Sequence, residues 1–275
     1  LRINKSLLGN FTHCDLKGHW LRSMPKAKAS ARTSTPGNVY GRTQHKVMED
    51  VYSWVKAQAY VGPLHAPHVI DFARRSVNER CFEAEVPEDQ KVDMWGAILD
   101  YMMEQHYVVG SDIIGIEMFL RAKTPAGNEL TGFADRIDRT QSGPPGVSII
   151  DYKGSNWRPD PEQLQHDTQV QIYLACALSM FPWAERFEFR MEMLSARYTA
   201  RARWNRIEVS YMSRSVMQLA DEQAKEISTF PWLPNTGPHC ERCPFKGKEC
   251  PATGGDVPDG WYDPRLSWDE QAATN

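Results

Sequence analysis

No run in this sequence is long and apolar enough to cross a membrane as a helix, and no secretory leader opens it. Neither a Walker-type phosphate loop nor an internal repeat is present, so strand unwinding would need another protein. A net charge of only -3 gives no global polyanion-binding field, so any nucleic-acid role must rest on local patches. Six cysteines in 275 residues are too few for a disulfide scaffold, and three of them crowd into residues 240–250. That crowding favours metal ligation in a reducing cytoplasm. The first residue is Leu rather than Met, so the native start is expected upstream or non-standard. With 41% hydrophobic and 24% charged residues the chain reads as an ordinary globular protein. One domain is expected over residues 1–251, followed by a surface tail over 252–275.

What is present centres on residues 132–153, GFADRIDRTQSGPPGVSIIDYK. Two short strands joined by a Gly-Pro turn are predicted here. Alternate strand residues share a face. Phe133, Asp135 and Ile137 therefore point one way, and so do Ile149, Asp151 and Lys153 on the next strand. Charges in apolar company are costly unless compensated. Two carboxylates and an ammonium suit a hard divalent cation and a phosphate oxygen. The competing reading is a buried salt bridge of Asp with Lys153 or Arg136. The preceding segment, 112–121, is read as a third strand of an antiparallel meander, with Ile113, Gly115, Glu117 and Phe119 on one face.

Helices are predicted over 4–24, 39–60, 64–82, 87–108, 160–181 and 211–229, with strands over 185–195 and 200–209. Residues 25–38 read as a basic loop. Gln169 and Tyr173 lie one turn apart on the 160–181 helix. Cys240 and Cys243 form C-x2-C, and Cys250 follows in a Pro-rich loop that cannot be regular structure. Three soft ligands fall short of the four that a closed zinc site or a four-iron cluster wants. The fourth is then remote, or a histidine such as His239. Cys81 and Cys176 read as core residues.

Together these features resemble the RecB-type branch of the PD-(D/E)XK nuclease superfamily. More narrowly they are similar to its iron–sulfur members, which include the AddB nuclease domain and the CRISPR spacer-acquisition nucleases. GRTQH resembles the family's histidine motif, GFADRID its glycine–aspartate motif, DYK its acid-x-lysine motif and QVQIY its Q-x-x-x-Y motif. The resemblance implies a restriction-endonuclease-like α/β fold: a central mixed β-sheet flanked by helices, a helical N-terminal part and a Cys-ligated C-terminal loop. It implies His45, Asp135 and Asp151 as ligands of one or two Mg²⁺ or Mn²⁺ ions, with the backbone carbonyl of Tyr152. Lys153 becomes the catalytic lysine, with Glu117, Gln169 and Tyr173 in supporting positions. Cys14 joins Cys240, Cys243 and Cys250 around a [4Fe-4S] cluster, with Zn²⁺ as the alternative.

The implied activity is metal-dependent DNA exonuclease cleavage of single strands or duplex ends, in recombination, repair or phage DNA processing. A catalytically silent DNA-binding or assembly subunit is the alternative. DNA is the expected partner, with a helicase, recombinase or integrase as candidate company and no membrane. The expected location is the cytoplasm, or the host cytoplasm if phage-encoded. The basic hairpin at 186–206 and the Lys-Arg loop at 17–32 are candidate phosphate contacts, with Arg158, Arg201 and Arg203 singled out.

Overall fold

The computed structural model describes residues 1–24, 36–105, 107–140, 143–228, 232–258 and 261–265. Its central strand is β6 (Gly146–Lys153), buried over residues 146–152. β6 runs antiparallel to β5 (Glu129–Arg139), with Arg136 opposite Ile150 and Ile137 opposite Ile149. On its other side it runs parallel to β7 (Arg186–Met193), which is antiparallel to β8 (Tyr198–Asn205). β4 (Ile113–Lys123) pairs with β5, and β1 (Arg2–Ile3) pairs in parallel with residues 129–130. The described strands form a six-stranded mixed sheet, and helices flank it, as the sequence led us to expect. A second small pairing joins β2 (Val61–Gly62) to β3 (Val108–Val109).

The chain divides into two compact units, one of residues 1–34, 123–130 and 217–275, the other of residues 35–122 and 131–216. In the second unit, α3 (Pro36–Ala57), α4 (Pro67–Glu83) and α5 (Glu88–Glu104) pack one face of the sheet. Val47, Met48, Val51 and Val55 of α3 meet Val69 and Val77 of α4, Met94 and Ile98 of α5, and Ile150 and Tyr152 of β6. The opposite face carries α7 (Thr168–Met180), whose Tyr173 packs on Phe189 of β7. Cover on both faces is why β6 is buried nearly throughout rather than alternating between core and solvent. α7 is likewise buried nearly all round.

Several boundaries differ from expectation for local reasons. The helix expected over 4–24 is two helices, α1 (Lys5–His13) and α2 (Asp15–Ser23), because Cys14 takes an extended backbone between them. The helix expected from 160 starts at Thr168, after a single turn, α6 (Gln163–His166). Asp167 is extended, and its carboxylate caps α7 by accepting the Gln169 and Val170 N–H groups. α8 (Arg206–Ile227) follows β8 directly. Asn205 accepts the N–H groups of Ile207 and Glu208, while Glu208 accepts the Asn205 N–H at 2.7 Å, a reciprocal capping box. The basic loop expected at 25–38 lies outside the described residues up to residue 35, and α3 already begins at Pro36.

β4 slips phase at Glu117. Ile113 and Gly115 are buried before it, Leu120 and Ala122 after it, and Glu117 itself has φ +45°. An L-residue in the left-handed region costs energy and here marks a bulge. The shared face expected for Ile113, Gly115, Glu117 and Phe119 is therefore broken: Ile113 and Gly115 are covered, Glu117 and Phe119 are not.

Asp50 of α3 clamps α4 by accepting from Ser76 Oγ at 2.6 Å and from Arg80 Nε and Nη2 at 2.8 and 2.9 Å. Burial pushes its carboxyl pKa up, but the Arg80 and Ser76 bonds outweigh that and hold it below the ordinary value. Such a group stabilises the fold above its unfolded pKa, and the contribution is lost as pH falls through the folded value. Asp50→Ala should cost about 1–3 kcal/mol at neutral pH. In urea melts the gap between variant and parent should close below about pH 4.

Candidate active site

An open cavity of about 560 Å³ lies at the edge of the sheet, lined by His45, Lys46 and Glu49 of α3, Glu117 of β4, Asp135 of β5 and Lys153 of β6. Gly37 and Gly41 line the same helix face one and two turns before His45, keeping that wall low. Strand register explains the convergence. Ile137 faces Ile149, so Asp135, Asp151 and Lys153 share a sheet face. His45 Nδ1 lies 3.3 Å from Asp135 Oδ1, and the Tyr152 N–H donates to Asp135 Oδ2 at 2.6 Å. Lys153 Nζ sits 2.6 Å from Asp151 Oδ2. Gln169 Nε2 donates to Asp151 Oδ1 at 2.8 Å and lies 3.0 Å from the Tyr173 hydroxyl, which donates to the Phe133 carbonyl.

Both salt-bridge expectations are answered by this geometry. Lys153 does pair with Asp151. Arg136 does not, because it projects from the other face, where it pairs with Asp138 at 3.0 Å. There its guanidinium lies 3.6 Å from the Tyr52 ring centroid and donates to the Tyr152 hydroxyl at 2.7 Å.

Burial sets the electrostatics. It pushes the Asp151 carboxyl up, with Lys153 opposing and Asp135 adding to the rise. It pulls the Lys153 ammonium and the His45 imidazole down, but the neighbouring carboxylates outweigh it and both end above their ordinary values. Partial burial and the charges of Asp135 and Glu49 push Glu117 up. The site is thus a cluster of acids with the Lys153 ammonium paired to Asp151 and the His45 imidazole held beside Asp135.

The sequence profile of the PD-(D/E)XK nuclease superfamily matches residues 3–248. The chain belongs to that superfamily. No curated protein matches it. Membership in the PD-(D/E)XK superfamily suggests nuclease activity and implies DNA binding, and such enzymes usually work with divalent metal ions.

Among the described residues, no three His, Cys, Asp or Glu stand close enough together to hold a metal as they are. The donor chemistry of the cavity nonetheless suits a hard cation. Asp151 is 2% exposed, and its Oδ2 is held by the Lys153 ammonium at 2.6 Å. Carboxylate oxygens beside an imidazole are donors of the kind that Mg²⁺ and Mn²⁺ take.

Two of the three residues singled out as DNA contacts stand on the other face of the sheet. Arg190 faces Arg201 and Glu188 faces Arg203, while Asp151 faces Met191 and then Ala200. Arg201 and Arg203 thus stand on the sheet face opposite Asp151, and both contact Glu188. Arg158 donates to the Ala196 carbonyl at 2.9 Å.

In the first unit, Cys14, Cys240, Cys243 and Cys250 line one cavity together with Trp20 and Phe245. The break between α1 and α2 places Cys14 there, and the Asn235 N–H reaches its sulfur at 3.5 Å. The thiol of Cys243 is pushed up chiefly by burial. Four thiols around one apolar hollow fit either a four-iron cluster or zinc by donor type. Val257, Trp261 and Tyr262, expected within the surface tail, pack beside this site: they join the Trp20–Phe245 cluster, and the Trp20 indole donates to the Tyr262 carbonyl at 3.0 Å.

Gln44 escaped the sequence reading, and Arg136, read there only as a salt-bridge partner for an acid of the site, supports the two strands instead. Arg136, 2% exposed, fixes β5 and β6 from behind. Gln44, wholly buried next to His45, presses on Gly154, where a Cβ would come within 2.6 Å of Gln44 Oε1. A polar residue beside the histidine of GRTQH and a glycine just after DYK were the available signals.

Because burial disfavours the ionised form of Asp151, its raised pKa means stability that is full below the unfolded pKa and is lost as pH rises through the folded one. Asp151→Asn should therefore unfold at the same or a higher temperature than the parent at neutral pH. Calorimetric scans should show the difference shrinking toward acid.

Proposed function

We propose that this protein is a metal-dependent DNA exonuclease of the RecB-like iron–sulfur branch, acting on single strands or duplex ends in recombination, repair or phage DNA processing. The observation that carries this is the convergence of Asp135, Lys153 and His45 on one open cavity walled by a helix face with two glycines, with Asp151 buried against Lys153.

In this reading Asp135, Asp151 and His45, with the Tyr152 backbone, hold one or two Mg²⁺ or Mn²⁺ ions. A bound ion supplies charge neutralisation on the scissile phosphate and a more acidic water. Imidazole among carboxylates suits Mn²⁺ as well as Mg²⁺. Lys153, which keeps its proton beside two carboxylates, acts as a hydrogen-bond donor that steadies a phosphate oxygen or orients the attacking water. Gln169 holds the orientation of Asp151, and Tyr173 fixes the β5 backbone at Phe133. Neither performs chemistry. Glu117 adjoins the site from its bulge and can position water.

The competing reading, a catalytically silent DNA-binding or assembly subunit, is favoured by one observation: no three ligand side chains stand at metal-holding distance among the described residues. End-labelled single- and double-stranded DNA distinguishes the two. Cleavage should require Mg²⁺ or Mn²⁺, and Asp151→Ala or Lys153→Ala should lower it by about 10²–10³-fold with folding intact. DNA binding without cleavage in either ion supports the silent subunit instead.

We assign the four cysteines to a [4Fe-4S] cluster that fastens residues from both ends of the chain into the first unit, so that residues 1–251 work as one nuclease module. Zn²⁺ is the alternative occupant. Anaerobically purified protein should carry about four irons and four acid-labile sulfides per chain. Cys240→Ser should lose both and melt at a lower temperature. Zinc without sulfide overturns the assignment. The proposed setting is a cytoplasm, a host's if the protein is phage-encoded, with a helicase, recombinase or integrase as partner.

A further inference from the structure

Beside the candidate active site, the sheet exposes two phenylalanines where a soluble protein would be expected to cover them. Phe133 is 57% exposed and Phe119 37%. Scattered exposed apolar residues need no explanation, whereas adjacent aromatic rings do. These two face each other across β4 and β5 with ring centroids 5.1 Å apart and planes tilted by 49°. Each is two residues from an acid of the cavity: Phe133 from Asp135 on β5, and Phe119 from Glu117 on β4. A two-residue step along a strand is about 6.5 Å. The rings therefore begin roughly one nucleotide's reach from the carboxylates.

The surroundings hold this pair in place. The Tyr173 hydroxyl donates to the Phe133 carbonyl, and the Tyr173 ring fills the space where a side chain at Gly132 would lie, 2.5 Å from an added Cβ. Tyr173 is in turn bonded to Gln169, and Gln169 to Asp151. One chain of bonds thus ties the backbone under Phe133 to a buried acid of the site. On β4, the Glu117 bulge shifts the strand's phase so that Phe119 falls on the uncovered side.

We infer that Phe119 and Phe133 form a stacking platform for an unpaired nucleobase of the strand whose phosphate enters the cavity. Every base has a π-face, so such a platform is indifferent to sequence. A base within a duplex already spends both faces on its neighbours, so the platform selects single strands and frayed ends. This inference rests on the nuclease reading for its substrate and specifies which form of DNA is bound.

Equilibrium binding in a chelator separates the two readings, since it needs no cleavage. The probes are a labelled oligothymidylate and a base-free oligomer of equal length with the same phosphate spacing. The parent protein should bind the oligothymidylate about 10-fold or more tightly than the base-free chain. Phe133→Ala should lose most of that preference and bind the base-free chain as the parent does, and Phe133→Trp should restore it. A parent that binds both oligomers equally overturns the platform without any variant being made. A normal preference that survives Phe119→Ala/Phe133→Ala also overturns it. Absence of metal-dependent cleavage in the same preparation would count against the nuclease reading and leave the binding result to stand.

Discussion

Two carboxylates at the end of a sheet covered on both faces are a large electrostatic liability, and the ion pairs that balance them organise this protein. Asp151 is buried against Lys153, and Asp135 is bridged to His45 from a separate helix. Unpaired, either acid would shed its charge or destabilise the fold. With the Lys153 ammonium and the His45 imidazole beside them, the acids stay close together. This explains why a histidine on α3 is held against a strand 90 residues away, and why the cavity combines acids with bases. Positive charge is already invested where a divalent cation would deliver more of it.

The same arrangement accounts for the strain at the edges. Glu117 sits in the left-handed region with a carboxyl pushed up by burial and by its acidic neighbours, an unfavourable position that packing alone would not select. Gly154 leaves room for Gln44 directly behind Lys153. Arg136, stacked on Tyr52 and bonded to Tyr152, braces the reverse side of the two strands that carry the acids. The edge that carries the acids is supported one layer deeper, by Arg136 and by Gln44.

Much of this was legible in the residues. The period-two alternation placed Asp135, Asp151 and Lys153 on one face, and the register agrees. The Q-x-x-x-Y spacing set Gln169 and Tyr173 one turn apart, and both reach the site. Other features were decided by contacts that a linear pattern does not carry. The phase slip at Glu117 is a backbone event without a glycine to announce it. The late start of α7 follows from Asp167 preferring to cap, and the early start of α8 from the Asn205–Glu208 box, which was readable but went unread. Arg136 was expected as a salt-bridge partner for an acid of the site, and its contacts with Tyr52 and Tyr152 were not written in the local pattern. Whether Arg201 and Arg203 shared a face with the acids depended on a register that crosses two strand pairs.

The central claim is that Asp135 and Asp151, balanced by protonated groups in the free protein, form a divalent-cation site. Calorimetric titration of the metal-free protein with Mn²⁺, repeated in buffers of different ionisation enthalpy, tests it most directly. The account predicts a saturable binding event in every buffer, and its loss in Asp151→Asn. Binding unchanged by that substitution, or no binding at all, would contradict it.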